Sequence, residues 1–599
     1  MTRETAADRL VSAAGIWITA TAFLLPLKFG GIAAMPEAAA NYPAALWEYL
    51  LISWPPSFIA VAGPVALLPL LAAGAFRKFR FDGAFAAAML WGFGLFAATL
   101  PGWLRTLNFE AAFTQSLHYA GCGCFALAAA MLLRENPAWR GRLIDALAIG
   151  TLLLGVSAFH QYFFGFAETR RFIENAVAAG AAAPGEPLQL FLADDRVYAT
   201  FSGCNALAGF LLLVLPTVVL TIRRRGERFE PVRISRPLFA GIALALTAGP
   251  LLLTRSRGAF LVALLTAAAW FFARPTIRRR WKVAVLAALA LVIAVAAWHI
   301  AAHGRGFGSM TERADYLRTA AVLVAEHPIA GAGWESFHLR HMKIKTTRSD
   351  ESARDPHNPV ASFAAQCGIP AGMLAAAALL LPLVLLWRKS RRTAGDDAIG
   401  EAILWGFLAF ALHSCMEINF LVPANLAGAA LLFTAALTTA DDGGNSAATT
   451  RGRRIFDAAF AVCAALFAGA TLVAALRWIP GEIAFSRFSD AVHPLPGAIA
   501  TDPQTAEREA LARRGRSCAV WELVGERRLG YGDPAGAQTA FLAAQKWGGD
   551  RASLRWKLAA AAEMMHRQKE AALHRKRARE LFPTNPIYRR PSALGDAPR

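Results

Sequence analysis

Apolar runs alternate with short polar connections over most of the chain. They fall near 10–27, 57–76, 83–101, 113–133, 143–165, 201–222, 237–254, 258–273, 283–301, 360–387, 398–421, 423–440 and 455–477. Runs of about 16 to 28 residues match the length a helix needs to cross a bilayer. The pattern predicts an all-α fold, a polytopic transmembrane helical bundle of about 12–13 spans. Arg3 and Arg9 ahead of the first run resemble a signal peptide's start. The run is long enough to span, so an uncleaved first helix is expected, with cleavage near Ala34 as the alternative.

One long hydrophilic insert, 302–358, interrupts the pattern and ends in DPHNP at Asp355–Pro359. Ser309 and Glu312 have the spacing of a capping box, which predicts a helix from Met310 to about Glu326. Arg313 then falls in the first turn, where the macrodipole disfavours a cation. An anionic partner or projection to water is expected for it. Asn358 followed by Pro359 reads as an N-cap with proline at the first helical position. His357 thus stands just outside a helix N-terminus, beside a ready anion site.

After about Ile479 the chain becomes rich in charge and alanine. Ala537, Ala544 and Trp547 are echoed at Ala571, Ala578 and Leu581, an offset equal to the tetratricopeptide period. Helical-hairpin repeats are expected, serving partner binding or packing on the membrane domain. Four regions follow: N-terminal transmembrane helices (1–190), a core carrying the insert (191–440), a linker with the last spanning helix (441–478) and a soluble, repeat-like helical domain (479–599).

The composition, 56% hydrophobic and 17% charged, fits a membrane protein. A net charge of +20 would suggest nucleic acid in a soluble chain. Here the arginines cluster in alternate connections, at Arg77-Lys78, Arg134–Arg142, Arg223–Arg236, Arg274–Lys282, Arg388–Arg392 and Arg451–Arg454. By the positive-inside rule those connections and the N-terminus face the cytoplasm. The loop 166–200, the turn TRSRGAF (Thr254–Phe260), the insert and the tail then face outside. Six of the seven cysteines lie in apolar runs, which gives no disulfide framework.

Arg255 and Arg257 lie on the side where the orientation rule disfavours them. They are either snorkelling interfacial residues or a guanidinium pair for phosphate oxygens. Arg313 and His357, taken singly, suit a solvated helix residue and a capping histidine. Together with the arginines they fit cations holding a phosphorylated leaving group while a base takes a hydroxyl proton. Glu417 lies near the end of its run, as a functional carboxylate or as the partner of a site arginine. His327, His338 and His341 lack zinc-motif spacing, and no metal or other cofactor is expected. Gly331 and Gly333 make a turn or admit a ligand to the backbone.

RVYATFSGCNALAGFL, TRSRGAFLVALL, the Arg313 helix running into HPIAGAGWESF, and DPHNPVASFAAQCGIPAG resemble, in that order, the motifs of the O-antigen ligase/polymerase superfamily (Wzy/WaaL-like). The resemblance covers roughly 190–425. It implies a GT-C-like, metal-independent and inverting glycosyltransferase of the bacterial inner membrane, with its C-terminal domain in the periplasm. The donor would be an undecaprenyl-diphosphate-linked glycan. Arg257 and Arg313 would bind the diphosphate, with Arg255, Arg196, Asn358 and Glu417 as further binding residues, and His357 would be the base. Cys204 stands where that family commonly has proline. The repeat-like tail, absent from many lipopolysaccharide ligases, leaves the acceptor open among lipid A core, a growing glycan and a protein. A polysaccharide polymerase and a protein O-oligosaccharyltransferase are therefore alternatives, and a lipid or solute transporter is the competing class. Membrane lipids and a protein partner for the tail are the other expected contacts; nucleic acid is not.

Overall fold

In the computed structural model the described residues are 5–32, 42, 48–75, 82–178, 195–226, 235–287, 308–346, 352–393, 396–438, 451–493 and 502–589. They form helices and turns, with no strand among them. The first part of the bundle contains α1 (Ala6–Lys28), α2 (Ile59–Ala72), α3 (Gly83–Trp103), α4 (Phe109–Glu135) and α5 (Trp139–His160). The part that carries the site contains α6 (Cys204–Gly226), α7 (Ser235–Leu253), α8 (Arg257–Ala273), α9 (Gly308–Glu326), α10 (Phe337–Ile344) and α11 (Pro359–Cys367). It continues through α12 (Ile369–Arg392), α13 (Ala398–Ser414), α14 (Pro423–Leu437) and α15 (Arg451–Val492).

Among the described residues seven helices are long and apolar enough to cross a membrane, and five shorter apolar helices accompany them. Each answers one of the expected runs. The thirteenth run, 283–301, lies almost wholly outside the described residues. α14 and the apolar 18-residue stretch of α4 are buried on every side, as a helix segment without an exposed polar face must be. They form the centre, with α2 against α4 and α6 against α13.

Three boundaries differ from the sequence reading. The run 360–387 is two helices, broken at Gly368, whose φ of +96° favours glycine. A side chain there would strike the Ile329 carbonyl, so this break also lets 328–330 pack closely. α13 ends at Ser414 instead of 421, freeing 415–419, with Glu417 and Asn419, for a loop. α15 continues past Arg477 to Val492.

The tail folds as α16 (Pro503–Arg514), α17 (Cys518–Gly530), α18 (Pro534–Gly548), α19 (Ala552–Met564) and α20 (Gln568–Leu581). α17 pairs with α18 and α19 with α20. Ala537, Ala544, Ala571, Ala578 and Leu581 are all buried, so the echoed residues are the packing face of successive hairpins. The tail rests on the membrane part. Arg514 ion-pairs with the buried Glu110 at the start of α4, and Ser517 Oγ donates to the same carboxylate at 2.7 Å. Met342 of α10 packs among Ala552, Ala578 and Phe582.

Candidate active site

The loop between α13 and α14 presents Glu417, only 3% exposed. Its Oε1 accepts from Asn205 Nδ2 at 2.9 Å and from Arg313 Nη2, while Oε2 lies 3.5 Å from His357 Nδ1. Burial alone would raise this carboxyl's pKa. Its neighbours His357 and Arg313 outweigh that and hold it below the ordinary range.

The network extends beyond Glu417. Asn205 Oδ1 accepts from Arg196 Nη2 at 3.0 Å, and Arg196 Nε donates to the Thr254 carbonyl at 3.0 Å. A continuous set of hydrogen bonds therefore ties the TRSRGAF turn, the start of α6, the 415–419 loop and the insert. The anionic partner that Arg313 required is Glu417.

His357 has φ +59°, a conformation that costs a non-glycine residue energy and persists only when neighbours enforce it. The enforcing group is Asp355. Its buried carboxylate accepts the His357 N–H at 2.9 Å and the Ser362 hydroxyl. Asn358 completes the corner: Oδ1 caps α11 through the Ala361 N–H at 3.1 Å, and Nδ2 donates to the Cys415 carbonyl at 3.1 Å. The imidazole packs 5.4 Å from the Tyr316 ring, centroid to centroid. Nδ1 is enclosed on the Glu417 side. The side chain is 26% exposed. Behind the pair a void of about 10 Å³, lined by Tyr119, Asp355, Ser362, Phe363 and Glu417, closes the floor. It is about the size of one water.

Arg257 begins α8, whose N-cap is Ser256, with Oγ accepting from Ala259 N at 3.4 Å. The side chain is exposed and makes no hydrogen bond or ion pair among the described residues. The Met416 methyl lies 3.7 Å from where a Gly258 Cβ would stand, so this turn borders the Glu417 loop. The exposed Arg255 precedes it with φ +48°. A cation at a helix N-terminus with unused N–H groups is suited to an anion.

One sequence expectation fails, and another resolves to the turn among its alternatives. The helix of Arg313 is already under way at Gly308, so Ser309 stands inside it and not at its cap. Gly331 (φ +71°) and Gly333 (φ +119°) serve chain packing. Side chains there would meet Cys367 N at 2.2 Å and the Arg105 carbonyl at 2.3 Å. The backbone of 332–334 instead bonds to Ala365, Gln366 and Gly102.

Among the described residues three other insert histidines diverge. His327 Nδ1 meets Arg105 at 2.7 Å and His341 Nδ1 meets Thr319 at 2.9 Å. His338 is pushed down to about 3 by burial and by Arg354 and Arg551. Among the described residues no group of three or more His, Cys, Asp or Glu is arranged to hold a metal ion.

Asn205, Asp355 and Tyr316 are the site residues that sequence reasoning did not single out. Asn205 and Asp355 both lie within the quoted motifs.

The fold and this buried polar site define an integral membrane protein with a charged centre where several helices end. Residues 241–376 match the model of the family described as O-Antigen ligase, which supports the resemblance to the O-antigen ligase/polymerase superfamily that the ordered motifs carried. This supports a membrane function of glycan transfer in the broad sense. The match contains Arg255, Arg257, Arg313, His357 and Asn358; Arg196, Asn205 and Glu417 lie outside it. No curated protein matches the chain.

Proposed function

We propose that the protein is a glycosyltransferase that moves a glycan from an undecaprenyl-diphosphate donor to an acceptor hydroxyl at the periplasmic face of the inner membrane. The observation that carries this reading is the convergence on Glu417 of His357 and Arg313, beside the open Arg257 turn.

The acceptor O–H gives its proton to His357 Nε2 as its oxygen bonds to the anomeric carbon. The bond from that carbon to the diphosphate breaks, and the diphosphate leaves with the electron pair. Attack from the opposite face inverts the anomeric centre. Glu417 fixes the ring through Nδ1 and stabilises the imidazolium, leaving Nε2 for the substrate. Arg257 and the α8 N-terminus receive the developing negative charge. Arg313 keeps guanidinium donors beyond those used on Glu417, and Arg255 adds positive charge. Arg196 and Asn205 hold Glu417, while Asn358 holds the His357 corner. The tetratricopeptide-like tail, packed on α10, offers a surface for a protein partner or a protein acceptor.

Purified protein in detergent, given lipid-linked donor and acceptor, is expected to transfer glycan with no membrane gradient. Arg257→Ala and His357→Ala should each lower it by about 10²-fold or more. Normal transfer by these variants would sink the assignment, and movement of donor lipid across vesicles without transfer would favour the transporter. The glycan lost from lipopolysaccharide, polymer or protein on deletion in the native host identifies the acceptor.

A further inference from the structure

Away from the site, α6, α7, α8 and α13 part around an apolar groove of about 530 Å³. Leu212, Pro216, Leu251, Ala263, Ala267 and Ala402 line it, and Arg223, Arg274 and Glu401 stand at its far end. Arg274 pairs with Glu401 at 2.7 Å and lies 4.9 Å over the Trp270 ring. Trp405 Nε1 also donates to Glu401, at 3.3 Å. Arg223 is exposed and has no hydrogen bond or ion pair among the described residues. Among the described residues two cations thus face one carboxylate, leaving one positive charge without a carboxylate partner at the mouth of an apolar channel.

The length of the groove narrows its occupant. From Leu212 to Arg223 α6 rises roughly 16 Å at 1.5 Å per residue. That is about half of a 30 Å hydrocarbon layer. The groove is therefore one leaflet deep and opens to the leaflet at the Arg223 end. By the orientation bias of the arginines that is the cytoplasmic one.

We propose that the groove binds an anionic phospholipid of that leaflet, with one acyl chain along α6 and α8 and its phosphate on Arg223 and the unused donors of Arg274. A net negative headgroup neutralises the leftover charge; a zwitterionic one brings its own ammonium. The chain of a polyprenyl donor is far longer than the groove. The site lies at the opposite end of these helices from His357, and this lipid is not a substrate.

Full-length protein, delipidated in uncharged detergent, should be melted with phosphatidylglycerol or with phosphatidylcholine of the same acyl chains. Only phosphatidylglycerol is expected to raise the melting temperature, by linkage. Arg223→Gln should weaken that lipid's binding by about tenfold or more, the loss expected for one charged hydrogen bond, while Arg223→Lys retains most of it. Ala267→Trp, which fills the groove, should abolish the response with the lipid-free melting temperature preserved. Equal responses to the two lipids would overturn the proposal. A wild-type response in Arg223→Gln would do the same, as would displacement of phosphatidylglycerol by an equal concentration of polyprenyl monophosphate.

Discussion

The two ends of α6, α8 and α13 handle charge in opposite ways. At the site end Glu417 is buried and engaged by Asn205, Arg313 and His357, and its own support runs on through Arg196 to Thr254. At the groove end Glu401 engages Arg274, and Arg223 has no partner among the described residues. Matched charges in a low-dielectric setting hold a geometry. A leftover charge facing lipid can hold a mobile ligand. Catalysis needs the first arrangement, since a base misplaced by about 1 Å loses much of its effect.

The sharpest way to break this contrast is to remove the base. His357→Ala should lower transfer by about 10²–10⁴-fold, the usual range for a general base, while the protein still inserts and melts normally. A His357→Ala enzyme with near wild-type turnover would reduce the site end to a structural network.

The next effect separates two arginines. Arg257 is exposed and unpaired among the described residues, so Arg257→Ala should lower transfer by about 10²-fold, as for loss of one transition-state donor, with stability within about 0.5 kcal/mol. Arg313 also engages Glu417, so Arg313→Ala should lose stability as well as transfer. A double-mutant cycle of Arg313→Ala with Glu417→Ala should give a coupling of about 0.5–3 kcal/mol. Zero coupling would mean that the pair does not act as a unit.

Sequence patterning revealed helices well and their interruptions poorly. Length and apolarity located α4 and α14 because a buried spanning helix needs no other signal. The break at Gly368 was passed over because the apolar run continues across it, although Gly368 with Pro370 in the next first turn is a local stop–start signal. The Ser309 cap failed for the converse reason: a local spacing rule cannot see that the helix begins earlier. Asn358 and Pro359 succeeded because both the cap and the proline act within one turn. Glu417 was legible as a carboxylate near the end of a run, with an arginine as one of its two possible uses. Its bond to Asn205 joins residues 212 positions apart, beyond any local pattern.

The smallest expected effect tests how completely the site end matches its charges. Glu335, in the turn before α10, is buried with φ +53° and receives Arg354 at 3.2 Å. Burial outweighs Arg354 and lifts its pKa to about 7. Folding therefore favours the protonated form, and between about pH 4.3, the unfolded value, and about 7 the folded state binds more protons. Stability in this turn must fall as pH rises through that window. Glu417, held below the ordinary range by its partners, has the opposite sign: its contribution is present above the unfolded pKa and fades as pH falls through the folded one. Hydrogen exchange in 329–346, corrected for the intrinsic rate, should show protection declining from pH 5 to pH 8, and Glu335→Gln should flatten the decline. A flat wild-type profile would show that Arg354 matches Glu335 as fully as Arg313 and His357 match Glu417, and the site end would then hold no mismatched carboxylate in this turn.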